Sequence, residues 1–79
     1  MNTKLRNRLN NMLGNQTLVC TSTIGTITMK AALDNGGMDF VVDVSITTEN
    51  GVENKGRMYT KQALETYGDS ISHIVVKNY

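Results

Sequence analysis

Residues 38–59, MDFVVDVSITTENGVENKGRMY, constrain the fold more than any other stretch, because periodicity, turn chemistry and register meet there. Met38, Phe40, Val42, Val44 and Ile46 stand at every second position, and Asp39, Asp43, Ser45 and Thr47 alternate with them. This is the pattern of a strand with one buried face. Only Val41 breaks the alternation. The turn falls within Thr48-Glu49-Asn50-Gly51-Val52, since Asn-Gly between strand patterns is the strongest short-range hairpin signal. Two registers are open. A two-residue Asn50-Gly51 loop sets Arg57 opposite Val44 and drives a guanidinium onto the apolar face, where an unpaired charge is costly. A three-residue Glu49-Asn50-Gly51 loop, with Gly51 in the left-handed conformation that glycine adopts cheaply, places Met58 opposite Val42, Arg57 opposite Asp43 and Lys55 opposite Ser45. The second register satisfies both faces and is the expected one. It also sets Val41 beside Tyr59 on the face that the core does not use.

A chain of 79 residues is expected to form a single domain, 1–79, with room for one core. With no proline or tryptophan and one phenylalanine, that core must come from Leu, Ile, Val and most of the five methionines. Such a core is plastic rather than rigid.

Along the chain, Asn2 or Thr3 can cap a helix whose Leu5, Leu9, Met12 and Leu13 form one stripe at helical period, with Gly14 as the residue that ends it. Residues 16–22 are a β-branched run with Leu18 and Cys20 inward, and Gly25 marks a turn or a bulge. From Thr26, the residues Ile27, Met29, Ala31 and Leu33 alternate with Thr28, Lys30 and Ala32, which predicts a strand. Because Met-Lys-Ala-Ala-Leu is a strong helix former, a short helix over 28–35 is the competing reading. Asp34-Asn35-Gly36-Gly37 turns the chain into the long strand. Thr60 is expected to cap a short helix over 61–67, with Ala63, Leu64 and Tyr67 on its apolar side and Gly68 at its end. A last strand covers 71–78, where Ile74 and Val76 alternate with His73 and Val75. The order α-β-β-β-β-α-β predicts an α+β two-layer domain. It has a mainly antiparallel sheet of four to five strands, both helices on one face, and the other face open. The partner of the last strand is not determined, and residues 60–70 are just long enough for a parallel crossover.

Several function classes fall away. Cys20 is the only cysteine, so no disulfide within the chain and no thiolate metal cluster can form, and a reducing compartment is the natural setting. His73 is the only histidine, and neither the spacing nor the pattern brings it to Cys20 as a catalytic pair. Asp-Asn-Gly-Gly lacks the alternating oxygen ligands and terminal Glu of a calcium loop, and no phosphate-loop spacing occurs. We therefore expect no catalytic residues, no metal and no cofactor. No apolar run is long enough to span a membrane or to resemble a signal peptide, so the protein is read as soluble and cytoplasmic, with no membrane partner.

The net charge is +1, but residues 1–33 hold Lys4, Arg6, Arg8 and Lys30 with no acid, while all seven acids lie in 34–79. By elimination, recognition is expected rather than catalysis: a small protein-binding domain. The abundance of Asn and Thr points to an accessory or inhibitor protein of a phage or mobile element that acts on a host complex. The expected surface is the open sheet face, with Val41, Asp43, Lys55, Arg57, Tyr59 and Lys30; the basic helix with Lys4, Arg6 and Arg8 is the secondary candidate. A nucleic-acid-binding module using the same face is the first alternative, opposed by the acids Asp39, Asp43 and Glu53 expected there. A self-associating structural subunit, a homo-oligomer, is the second.

Overall fold

A computed structural model describes residues 2–12, 16–33 and 40–78. The elements follow the expected order: α1 (Thr3–Asn10), β1 (Gln16–Ser22), β2 (Gly25–Leu33), β3 (Phe40–Thr48), β4 (Gly51–Tyr59), α2 (Thr60–Tyr67), a 3₁₀ turn (Gly68–Ser70) and β5 (Ile71–Asn78). The strands form one antiparallel sheet in the spatial order β4-β3-β2-β1-β5. Strands β1 to β4 make a meander. The chain then returns through α2 to the far edge, where β5 pairs antiparallel with β1, so the parallel crossover that residues 60–70 allowed is not used.

Alternation along the strands decides the two faces. Leu18 and Cys20 of β1, Ile27 and Met29 of β2, and Val42, Val44 and Ile46 of β3 are all buried and join Leu5, Leu9, Met12, Ala63 and Tyr67 in one core. Both helices therefore lie on the same side of the sheet. The helix-forming run in β2 is overridden because this strand is flanked on both sides, and a helix there would take from β1 and from β3 one of the two strands each pairs with and split the sheet. Residues 34–39, which carry the connection to β3 together with Met38 and Asp39, lie outside the described residues, as do Leu13 and Gly14.

The helices depart from expectation at their ends. Helix α1 stops at Asn10 with Asn11 as its C-cap, ahead of the glycine expected to end it. In α2, Thr60 is the first helical residue and Tyr59 holds the N-cap position, without a side-chain cap bond. Gly68 keeps a right-handed conformation and leads on into the 3₁₀ turn instead of stopping the chain in a left-handed one. A Cβ there would meet Leu64 Cδ1 at 3.4 Å and Asn2 Cβ at 3.5 Å, ordinary packing distances. Asn2 ties the ends together. Its Oδ1 accepts from the Leu5 amide at 3.0 Å, and its Nδ2 donates to the carbonyls of Gly68 and Ile71 at 3.0 and 3.1 Å. One side chain thus caps α1, closes α2 and anchors the start of β5. Among the described residues, no helix is long and apolar enough to cross a membrane.

Two stability predictions follow. Leu9 is 2 % exposed in the core, so Leu9→Ala is expected to lower unfolding free energy in urea by about 2–5 kcal/mol; a change below ~0.5 kcal/mol would mean that α1 does not dock. Gly25 and Gly51 both have positive φ, +130° and +118°, but a Cβ at Gly25 would meet the Thr47 carbonyl oxygen at 2.6 Å, whereas space around Gly51 is open. Gly51→Ala should cost about 1–3 kcal/mol through the backbone alone. Gly25→Ala should cost more, and equal costs would contradict the close approach to β3.

Candidate functional site

The face opposite the helices is built by the residues that alternate with the core. Register runs straight across all five strands there. One row reads Arg57, Asp43, Lys30, Thr17, Lys77 from β4 to β5. Beside it, Tyr59, Val41 and Ala32 make a shorter row. On the other side come Asn54, Ser45, Thr28, Val19 and Val75, then Val52, Thr47, Thr26, Thr21 and His73.

Of the residues expected on this face, Val41, Asp43, Arg57, Tyr59 and Lys30 are neighbours there. Val41 is 8 % exposed although it lies outside the core cluster, while the Tyr59 side of the pair is 55 % exposed. Arg57 donates to both carboxylate oxygens of Asp43, through Nε at 3.0 Å and Nη2 at 3.4 Å, and this pairing holds the guanidinium pKa above its ordinary range. Asp43 is thus taken by one of its two cationic neighbours. Lys30 has no ion-pair partner among the described residues.

Lys55 goes elsewhere. Thr48 pairs with Gly51, so the loop is the two residues Glu49 and Asn50, and β4 carries an extra residue between Asn54 and Gly56. Asn54, rather than Lys55, stands opposite Ser45, and Lys55 is that extra residue. The bulge is stabilised by Asn54 Oδ1, which accepts from the Gly56 amide at 2.8 Å, and by the positive φ of Gly56, +85°. Beyond it the register returns to the expected one, with Arg57 opposite Asp43 and Tyr59 opposite Val41. Gly51 keeps its expected positive φ, but as the first residue of β4. Glu53 moves with the shift: it stands opposite the core residue Ile46, on the helix side, where its carboxylate lies 2.6 Å from Lys55 Nζ. This hydrogen bond raises the Lys55 pKa. Asp39 is outside the described residues, so among described residues Asp43 is the one acid on the open face.

The sequence signal for the bulge was Gly56, a glycine inside a strand pattern. Lys77, Val75 and His73 had no such signal, because their place depends on β5 finding the far edge. Thr17 is also new. It is 2 % exposed between Lys30 and Lys77, and its hydroxyl has no hydrogen-bond partner among the described residues.

The secondary basic candidates separate. Lys4 and Arg8, one helical turn apart, line a groove of about 510 Å³ between α1 and β5, with Asn7 and Asn11 beside them and Ile74 and Val76 opposite. Arg6 lies on the other flank, in a smaller groove of about 320 Å³ against Lys61 and Leu64 of α2. Cys20 is buried on the helix side and His73 stands at an exposed register position on the open side, so the sheet itself separates them. Among the described residues no group of three His, Cys, Asp or Glu side chains is placed to hold a metal ion.

Comparison with protein-family models, with curated proteins and with solved structures finds no match for this chain.

Burial pushes the Cys20 thiol up to about 11, from an ordinary value near 9. A folded pKa above the unfolded one favours folding fully below the unfolded value, and the contribution is lost as pH rises towards the folded value. The stability advantage of wild type over Cys20→Ala should therefore shrink between about pH 9 and about pH 11 in urea titrations. A pH-independent difference would mean that the thiol is hydrated in the folded protein.

Proposed function

We propose that the protein is a non-catalytic binding domain that recognises another protein through its open sheet face. The observation that carries this reading is the juxtaposition of a half-exposed Tyr59 on a buried Val41 with the Arg57–Asp43 pair and Lys30 in the adjacent row. An apolar and aromatic centre rimmed by charges of both signs matches the anatomy of protein interfaces, and Tyr and Arg are enriched at their hot spots. The small single domain and the reduced, buried Cys20 suit an accessory or inhibitor protein working in the cytoplasm, and its composition suits a phage or mobile element acting on a host complex.

A second reading, nucleic-acid binding, gains from two features of the same face. Lys77 and His73 join it from β5, and Glu53 leaves it, so that Arg57, Lys30 and Lys77 oppose the single acid Asp43 among the described residues. Tyr59, the one exposed tyrosine among the described residues, gives little stacking surface for bases, which favours protein over RNA. Self-association through this face is the third reading.

The readings separate by measurement. With a partner captured from lysate and purified, Tyr59→Ala should weaken its binding roughly thirtyfold, and Arg57→Ala should act in the same direction, with the fold intact by circular dichroism. Full affinity in both variants would remove the open face from recognition. Fluorescence anisotropy with short RNA and DNA should show no micromolar binding; an affinity in that range that falls steeply with added salt would establish the second reading instead. Sedimentation at increasing concentration decides the third.

A further inference from the structure

The two edges of the sheet are protected unequally. Strand β4 carries the Lys55 bulge, a positive-φ glycine and the charged side chains of Glu53, Lys55 and Arg57, all devices that discourage another strand from pairing. Strand β5 has no positive-φ glycine, and Lys77, near its end, is its one Lys, Arg, Asp or Glu. Its irregularity is confined to Ser72, where the register with β1 shifts; from His73 onward it pairs without interruption. Val75 is 44 % exposed there, Ile74 and Val76 are half-buried, and no strand among the described residues covers the outer edge.

The groove between α1 and β5 runs along this same edge. Its α1 wall presents Lys4 and Arg8 with the amide side chains of Asn7 and Asn11, its β5 wall presents Ile74 and Val76, and no acid lines it. Lys77 adds a further cation to the same strand, on the open face. Neither Lys4, Arg8 nor Lys77 has an ion-pair partner among the described residues.

We infer that β5 and the α1–β5 groove accept an extended, acidic segment of another protein, which adds to the sheet as a further strand beside β5 and sets its carboxylates against Lys4 and Arg8. Backbone hydrogen bonding supplies the pairing in such strand addition, and alternate side chains supply the choice of partner. Side chains that fall on the helix side meet the cationic wall and the apolar Ile74 and Val76; those on the open side meet Val75. A second copy of this chain is a poor occupant. Antiparallel pairing of two β5 strands would turn two Lys4–Arg8 walls towards each other, and like charges in close approach disfavour it. This surface is distinct from the open-face patch, and either can fail without the other.

The test is a titration of isotope-labelled protein with a short capped peptide of alternating glutamate and valine, followed by amide NMR. Shifts should concentrate on β5 and on the α1 residues of the groove, and amide exchange along β5 should slow. Lys4→Glu and Arg8→Glu should each weaken binding by about tenfold or more at low salt. Lys61→Glu, the same charge change on exposed α2, should leave it unaltered, and a lysine–valine peptide should not shift β5. No binding up to millimolar peptide, an equal loss from Lys61→Glu, or shifts gathered on the open face would each overturn the inference. So would a dimer that the peptide fails to compete apart, since a second copy would then hold the edge.

Discussion

Two eight-residue helices, each about 12 Å long, cannot cover both sides of a five-stranded sheet some 20 Å across. Everything else in the structure follows from that shortage. The core must be built on one side, which is why Leu18, Ile27, Met29, Val42 and Val44 alternate onto it and why Met and Cys fill the remaining space, while Val19, Val41, Val52 and Val75 stay on the other. Helices this short are marginal by themselves and hold only by packing. The Asn2 side chain compensates by joining the first turn of α1 to the end of α2 and the start of β5, so that the helical layer is fixed at one corner by hydrogen bonds as well as by burial.

The side left over is unlike an ordinary solvated sheet face. Threonines and Ser45 dominate its middle, a cationic row with one carboxylate crosses it, and the Tyr59–Val41 pair closes one corner. The edges differ as well. The bulge at Lys55 restores the register that pairs Arg57 with Asp43, and it also blunts the β4 edge. One local irregularity thereby shapes the face and leaves β5 as the side of the sheet open to addition.

Much of this was legible in the sequence, and for local reasons. The β3–β4 pairing could be read because period-two alternation and the cost of burying Arg57 leave one register near Asp43. Cys20 and Leu18 could be read as core because they stand two apart in a β-branched run, on one face of a strand. The loop length could not be read from the Asn-Gly pair: a three-residue turn and a two-residue turn with a bulge deliver the same Arg57–Asp43 pair, and the choice rests on Gly56. The position of β5 was hidden for a different reason. It depends on contacts with β1, far away in sequence, and no turn chemistry ties the two together, so Lys77, Val75 and His73 could not be assigned to a face. The Asn2 clamp was visible as a cap but not as a link, because its other partners, Gly68 and Ile71, are distant along the chain.

One-sided coverage is tested most directly by NMR line broadening from a neutral paramagnetic agent dissolved in the solvent. Side chains of Thr26, Thr47, Lys30 and Val75 should broaden strongly, while those of Leu18, Ile27, Met29 and Val44 should be protected. Comparable broadening of the two sets would contradict a sheet closed on one side and open on the other.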